Sequence, residues 1–321
     1  MVGIERTTEE YVRKVLKNRP EYMHKGDAGK VLIVAGSEGM AGAAVLAARG
    51  ALYSGAGLVK ICAPRELFGI LQTAVPEAIC VPRCHNDFAQ YDAVAIGPGM
   101  GLSEENYRIL ENAMLSFRGP VVIDADGLNC LAEYAKAPAH DAGVTKELST
   151  IPTEMSSIIP ELIKSRNGVT ILTPHPGEAD RLLRALGQYG YKELGREKSA
   201  IVLAEITGAI VLLKGADTLI ATKSGRAYDV EQDEVKLKMH VNPTGNPGMA
   251  TGGSGDVLTG IISSLLAQKY LEATPMQAVL TAAYIHGSAG DFSAENIGEY
   301  GMTAGDIADS VSAILKEFSG R

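Results

Sequence analysis

Residues 31–53, VLIVAGSEGMAGAAVLAARGALY, contain a continuous apolar run, a glycine-rich turn and an alanine-rich stretch. The run 31–35 is typical of a strand that is buried on both faces of a parallel sheet. The stretch 42–53 predicts a helix, which ends before Gly55 and Gly57, where the chain can turn with positive φ. This segment therefore predicts the first strand and helix of an α/β fold.

The same alternation continues along the chain. Further short apolar runs predict buried strands at 58–62, 93–96, 121–123, 170–172 and 209–213. Segments of helical length separate most of them, which is typical of a mainly parallel sheet covered by helices on both faces. We therefore expect a three-layer α/β/α fold.

Three helix starts near the C-terminus are marked by their chemistry. Thr274-Pro275-Met276-Gln277 has a capping threonine, a proline in the first turn and a reciprocating glutamine. The stretch 303–306 repeats the pattern, with Asp306 near the positive end of the helix dipole. The third helix is expected to begin at about Gly255.

The length of the chain would allow one domain or two, and the absence of an internal sequence repeat and of a low-complexity linker favours a single globular domain, 1–321. The chain has 321 residues, of which 46% are apolar and 21% charged, as in folded proteins. Between 134 and 168, prolines are scattered through polar sequence, which predicts an insertion or lid rather than a domain boundary.

Charge and cysteine content narrow the class of protein. A formal charge of -8 argues against broad binding to nucleic acid, which needs a basic face. The start of the chain is too charged for a signal peptide, and no segment is apolar enough to span a membrane. The four cysteines have no framework spacing, so we expect a cytoplasmic protein.

Glycine-rich loops follow three of the predicted strands, at 36–42, 97–101 and 124–127. In an open parallel sheet, ligands bind at the carboxyl ends of the strands. The first loop alone is equally compatible with strand-to-helix packing, which also selects small residues. Together, the loops indicate a ligand site at this edge.

The segment 242–256, NPTGNPGMATGGSGD, is the most specific motif. It places small residues before an apolar helix, so that the backbone at Gly253, Ser254 and Gly255 can form an anion hole. Asp256 is then a candidate general base for a hydroxyl that attacks a phosphoryl group. The alternative is a carboxylate that merely favours the helix dipole. The sequence has no Walker loop, so this chemistry would not use a P-loop.

The run 173–178, TPHPGE, follows another predicted strand. It places His175 near substrate and Glu178 near a magnesium shell. The alternative is that Glu178 caps the next helix and His175 is a turn residue.

The run Lys214-Gly215-Ala216-Asp217-Thr218 also begins where a strand ends. Lysine and threonine suit the phosphates and ribose of a nucleotide, although a hairpin turn with a solvated lysine is an adequate alternative. Cys80, Cys84 and His85 lack a second ligand pair for zinc, so structural or surface thiols are favoured.

Taken together, these motifs resemble the ADP-dependent (S)-NAD(P)H-hydrate dehydratase family of the ribokinase-like superfamily. The resemblance extends from His24-Lys25-Gly26 to His286-Gly287. It implies a single ribokinase-like domain and repair of NADHX and NADPHX, the hydrated forms of NADH and NADPH. ADP, or ATP, would phosphorylate the hydroxyl of the (6S) hydrate, and elimination would release NAD(P)H, AMP and phosphate.

The resemblance also implies roles for single residues. Asp256 resembles the base and a substrate contact, and the stretch 214–218 with Gly255 resembles the AMP-binding residues. His175, Ala43, Gly99 and Gly101 resemble the contacts to the hydrate. Glu178 takes the place of an N-x-x-E element around Mg²⁺, which it would reach through water.

Two further expectations come from the family. The chain begins too close to its dehydratase core to include the N-terminal epimerase of many bacterial relatives, so we expect a separate NAD(P)HX epimerase as partner. Relatives are often tetrameric, which predicts a homo-oligomer. The competing hypotheses are a ribokinase-like kinase for a vitamin precursor or sugar alcohol, a nucleotide-binding sensor without catalysis, and a scaffold protein.

Overall fold

A computed structural model describes residues 3–84, 87–134, 158–223 and 237–320. The strands are β1 Ile4–Arg6, β2 Lys30–Val34, β3 Leu58–Ala63, β4 Ile79–Pro82, β5 Ala93–Ile96, β6 Val121–Ile123, β7 Thr170–Leu172, β8 Ile210–Leu213, β9 Leu219–Lys223 and β10 Leu237–Val241. The helices are α1 Glu9–Val15, α2 Ala41–Tyr53, α3 Phe68–Ala74, α4 Glu104–Ser116, α5 Asp126–Tyr134, α6 Ile158–Lys164, α7 Pro176–Ala185, α8 Tyr191–Leu194, α9 Arg196–Thr207, α10 Ser254–Ala267, α11 Pro275–Ile297 and α12 Ala304–Ser319.

The strands form one sheet in the order β1-β10-β9-β8-β7-β6-β5-β2-β3-β4. The pairs from β4 through β2 and β5 to β8 are all parallel, whereas β8–β9 and β9–β10 are antiparallel. The predicted strands and the mainly parallel sheet are confirmed. The chain reverses its direction of growth between β2 and β5, and such a switch point opens a crevice for ligands.

Helices cover both faces of the sheet, which confirms the three-layer architecture. Side chains alternate along β2: Val31 and Ile33 belong to one core, and Leu32 and Val34 to the other. The first core includes residues of α1, α2, α3, α10, α11 and α12. The second includes residues of α4, α5, α6, α7 and α9.

Close packing fixes helix α10 against α2. A Cβ added at Gly260 would lie 2.0 Å from the carbonyl oxygen of Ala47, and one at Gly50 would lie 2.3 Å from that of Val257. Larger residues would push the helices apart at these points. The start of α10 is therefore held in a defined position over the carboxyl ends of the strands.

The three helix starts expected near the C-terminus are present. Both Thr274 and Thr303 form reciprocal capping boxes, with Gln277 and Asp306 respectively. Helix α10 begins at Ser254, one residue before the expected position.

The expected insertion or lid at 134–168 lies largely outside the described residues. Its described part includes α6, whose Ile159 and Ile163 are buried in the second core. All four cysteines are free thiols. Among the helices that the structure describes, none has the length and apolar character needed to cross a bilayer.

Candidate active site at the carboxyl edge of the sheet

Two glycine loops meet at the switch point between β2 and β5. The Gly36 N–H donates to the Pro98 carbonyl at 2.9 Å, and the Ser37 hydroxyl donates to the Gly99 carbonyl at 2.9 Å. A Cβ added at Gly99 would lie 2.8 Å from the Cβ of Ala43. The structure thus brings together Ala43, Gly99 and the neighbouring Gly101, three residues expected to contact the hydrate.

The second glycine loop also touches the loop after β6. Gly97 has a φ of 133°, and a Cβ there would lie 1.8 Å from the carbonyl oxygen of Asp124. Only glycine fits both constraints. Asp126 accepts a hydrogen bond from the Gly101 N–H at 2.8 Å, so the two loops are joined at two points.

The start of α10 leaves backbone donors unpaired. Gly253 precedes the helix with a φ of 93°, and the Ser254 N–H donates to the Thr251 carbonyl at 3.4 Å. Within the described part of the chain, the N–H groups of Gly255 and Asp256 have no acceptor. Two donors at a helix N-terminus can bind a phosphate or another oxyanion.

Helix α11 holds the segment that leads into α10. Asp291 accepts hydrogen bonds at 2.9 Å from both the Gly245 N–H and the Asn246 side-chain amide. Asn242 donates to the Ala283 carbonyl at 3.2 Å. The first part of the glycine-rich segment is therefore fixed to α11.

His286, also on α11, fixes the first turn of α10. Its Nε2 lies 2.9 Å from the Ser254 carbonyl oxygen, and because a carbonyl only accepts, the proton is on Nε2. Burial lowers the pKa of His286 to about 4, so the ring is neutral at pH 7. This neutral donor orients the peptide group that contains the unpaired N–H of Gly255.

Lys214 is held in a buried network of charges. Its Nζ lies 2.6 Å from Asp124 Oδ1 and 3.7 Å from Glu178 Oε2, and its side chain is only 19% exposed. Burial alone would lower the pKa of Lys214, but the attraction of Asp124, Glu178 and Asp256 outweighs it and raises the pKa. The Thr259 hydroxyl donates to the other Asp124 oxygen at 2.7 Å.

This network bears on one of the alternatives for the run 214–218, and the nucleotide-binding role of the run stays a prediction. The run is a hairpin turn between β8 and β9, as one alternative had it, but its lysine is not solvated. A Cβ at Gly255 would lie 3.1 Å from Lys214 Nζ, so the lysine also reaches the start of α10. The rest of the turn, Gly215–Asp217, is exposed, and Arg196 donates to the carbonyls of Ala216 and Asp217.

His175 and Glu178 form a capping box at the start of α7. The Gly177 N–H donates to His175 Nδ1 at 2.9 Å, and the His175 N–H donates to Glu178 Oε2 at 2.8 Å. The helix-cap alternative is thus correct. Glu178 also lies beside Lys214, which is compatible with its predicted place near a magnesium shell, and that role stays a prediction.

The pKa values of this pair reflect where each side chain lies. The His175 side chain is 51% exposed, and partial burial, together with Lys214 and Arg181, lowers its pKa. Burial, and next the Asp124 charge, raises the pKa of Glu178 against the opposing effect of Lys214.

Asp256 has the electrostatic character of a base that works near neutrality. Burial raises its pKa to about 7, and the negative charge of Asp124 contributes further, against the opposing effect of Lys214. In the described ranges its carboxylate accepts no hydrogen bond. A carboxylate with these properties, next to unpaired N–H donors, can accept a proton while an anion is held beside it.

Sequence reasoning assigned no role to three residues of the site: Asp124, Thr259 and His286. Asp124 was placed at the carboxyl edge only as part of the glycine-rich loop 124–127, without its pairing to Lys214. Thr259 and His286 lie inside helices, and the sequence has no signal that separates them from ordinary buried polar residues.

The chain is similar to known proteins over most of its length. A family model described as NAD(P)H-hydrate dehydratase matches residues 31–147 and 153–313. The bifunctional NAD(P)H-hydrate repair enzyme Nnr of Moorella thermoacetica is 35% identical over 96% of this chain and 53% of its own length. For the enzyme of the same name from Escherichia coli K12, the identity is 33% over 97% and 52%. The chain spans about half the length of these relatives.

Solved structures agree with the sequence comparison. The ADP/ATP-dependent NAD(P)H-hydrate dehydratase of Bacillus subtilis, co-crystallised with ATP and Mg²⁺, superposes with a TM-score of 0.77 at 29% identity, covering 99% of this chain and 100% of that one. A hydroxyethylthiazole kinase from Pyrococcus horikoshii shares the fold, with a TM-score of 0.54 at 16% identity, covering 96% and 94%.

Proposed function

The chain belongs to the NAD(P)H-hydrate dehydratase family, and we propose that it repairs NADHX and NADPHX by ADP-dependent dehydration. The observation that supports this most directly is the Asp256 carboxylate, with a pKa raised to about 7, beside the unpaired N–H donors that begin α10. Phosphoryl transfer to a hydroxyl needs this combination of a base and an anion hole.

The reaction proceeds in two steps. Asp256 accepts the proton of the (6S) hydroxyl as its oxygen attacks the terminal phosphorus of ADP, and the bond to the bridging oxygen breaks, releasing AMP. The lone pair of the ring nitrogen then expels phosphate, and loss of a proton from the neighbouring ring carbon restores NAD(P)H. Phosphorylation is needed because hydroxide is a poor leaving group.

The residues around this base have separate roles in the proposal. The N–H groups of Gly255 and Asp256 bind phosphate oxygens during transfer. The stretch 214–218 binds the nucleotide through its exposed turn. Lys214 compensates the negative charges of Asp124 and Glu178. The two glycine loops and His175 hold the dinucleotide, whose hydroxyl must face Asp256.

Magnesium is part of the proposal because the B. subtilis relative was co-crystallised with ATP and Mg²⁺. Glu178 fits the role of a residue that binds Mg²⁺ through a water molecule, because one of its carboxylate oxygens already accepts a hydrogen bond from the His175 N–H. Among the described residues, no group of three His, Cys, Asp or Glu side chains could hold a metal. A magnesium ion that keeps waters and phosphate oxygens as ligands needs none, and when bound it would neutralise phosphate charge.

The test is incubation of the protein with NADHX, Mg²⁺ and either ADP or ATP, following the recovery of NADH absorbance and the release of AMP or ADP. We expect NADH, phosphate and the shortened nucleotide in equal amounts. Consumption of nucleotide without NADH, together with a phosphorylated vitamin precursor or sugar alcohol, would instead identify a small-molecule kinase of the same fold. Absence of turnover with all substrates would favour the sensor.

The pH dependence of the reaction follows from the pKa of Asp256. A general base must be ionised, and below a pKa of about 7 the protonated form dominates. We therefore expect kcat/KM for NADHX to fall about tenfold for each pH unit below the pKa and to level off above it. Circular dichroism at each pH controls for unfolding, and a profile that stays flat through neutrality while the fold persists would contradict Asp256 as the base.

A further inference from the structure

We infer that Arg83 and Asn106 are positioning residues, which hold the two glycine loops of the dinucleotide site from behind. The inference rests on the proposed function for what the loops bind. Arg83 Nη2 donates to the carbonyls of Ala35 at 3.2 Å and Gly36 at 2.5 Å. Asn106 Nδ2 donates to the carbonyls of Met100 at 2.7 Å and Gly101 at 3.1 Å.

Both donors come from outside the loops that they hold. Arg83 follows the edge strand β4, and Asn106 is in the first turn of α4. Each is 5% exposed, so neither can exchange its carbonyl partners for water without local opening. The two loops therefore depend on side chains that no substrate contact would identify.

Holding a carbonyl also fixes the N–H of the same peptide, because the two groups point in opposite directions across the planar bond. With the Gly36 carbonyl on Arg83, the Ser37 N–H points away from the guanidinium. With the Gly101 carbonyl on Asn106, the Leu102 N–H points away from the amide. In the described residues neither N–H has an acceptor, so both are available to phosphate oxygens of a bound dinucleotide.

The charge of Arg83 adds to this geometry. Among the described residues Arg83 forms no ion pair, although the charge of Glu105 acts on it from a distance, and its Nη1 is buried without a hydrogen-bond partner. A buried and unpaired cation is costly for stability. Here it adds positive potential behind a loop that binds a ligand with phosphates, which a neutral donor could not do.

Arg166 provides a matched control within the same chain. It is also a buried arginine, 9% exposed, and it donates to the carbonyls of Ala113 at 3.2 Å and Gly119 at 2.6 Å. These carbonyls lie near the C-terminal end of α4, away from the glycine loops. Arg166→Met therefore removes the same chemistry without touching the site.

The experiment compares Arg83→Met, Asn106→Ala and Arg166→Met, with Arg83→Gln as a milder variant in case the methionine variant does not fold. We expect KM for NADHX to rise about tenfold or more in Arg83→Met, as for loss of a charge-assisted hydrogen bond. In the same variant, KM for ADP should change less than about twofold. In Arg166→Met, KM for NADHX and KM for ADP should both change less than about twofold. Equal rises for both substrates would overturn the inference.

A second readout is independent of activity. Hydrogen exchange without substrate should speed up in segment 36–42 of Arg83→Met and in segment 97–101 of Asn106→Ala, but in neither segment of Arg166→Met. Unchanged exchange in both loops would overturn the positioning role even if repair proceeds. If exchange is faster in the variants but the wild-type protein makes no NADH from NADHX, the positioning role is supported and the proposed substrate is refuted.

Discussion

Asp256→Asn is expected to lower kcat for dehydration by about 10²–10⁴-fold, the usual contribution of a general base. Asparagine has nearly the same shape but cannot accept the proton of the hydrate hydroxyl. The N–H donors at the start of α10 remain, so nucleotide binding should persist. NADH recovery measures the loss, and nucleotide titration followed by calorimetry measures the binding that is retained.

The stability of the same variant gives an independent check. The pKa of Asp256 is about 7 in the folded protein and near 3.9 when unfolded, so folding favours the protonated form. Ionisation of this carboxylate therefore reduces stability as the pH rises from the unfolded pKa to the folded one. Asparagine removes that effect, and the variant should be at least as stable as the wild type at pH 8.

Glu10→Gln is a suitable control for Asp256→Asn. Glu10 is also an acidic residue in the first turn of a helix, but its side chain is 79% exposed and forms an ion pair with Lys14. Its replacement should leave turnover unchanged. If Asp256→Asn retains wild-type turnover, the dipole-stabilising alternative for Asp256 is correct and the base lies elsewhere.

Local sequence patterns were sufficient for the parallel core of the sheet. β5 is apolar throughout and β2 is apolar from Val31 onward, because helices cover the sheet on both sides. The missed strands are β1, β4, β9 and β10. β1 is exposed along its length, β4 is largely half-exposed, and β10 includes Lys238 and His240. β9 is buried over its first four residues but ends in Thr222 and Lys223. The pairing of β1 depends on β10, which is distant in sequence.

The candidate site likewise includes residues with a local sequence signal and residues whose contacts depend on the fold. Asp256 and the loops that precede it were predicted, because a glycine-rich run before an apolar helix is a local signal. The partner of Lys214 was not, because Asp124 lies 90 residues earlier in the chain and the pairing depends on the order of β6, β7 and β8. For Glu178 the sequence left two roles open, and it is a helix cap that also borders the charged network.

The second large effect is expected from Lys214→Met, which should lower the free energy of unfolding at neutral pH by about 3–5 kcal/mol. The substitution leaves Asp124, 1% exposed, and Glu178, 6% exposed, without their shared cation. Breaking a buried ion pair by removing one partner is costly because the other charge stays desolvated. Urea denaturation, followed by two spectroscopic probes to test two-state behaviour, measures the loss.

The pH dependence of this deficit has a defined sign. The pKa of Lys214 is raised in the folded protein, so its stabilisation is complete below the unfolded pKa and is lost only in strongly alkaline solution. In Lys214→Met the deficit should shrink as the pH falls, because protonation then neutralises the two abandoned carboxylates.

A second substitution tests whether the abandoned charge is the cause. Asp124→Asn in the Lys214→Met background removes one of the unpaired carboxylates while its amide oxygen can still accept from Thr259, so it should recover part of the lost stability. Lys198→Met replaces an exposed lysine of α9 and should change stability by less than about 0.5 kcal/mol. A loss below about 1 kcal/mol in Lys214→Met, the size expected for an exposed pair, would mean that the network is solvated and that Lys214 is free to act as a nucleotide ligand.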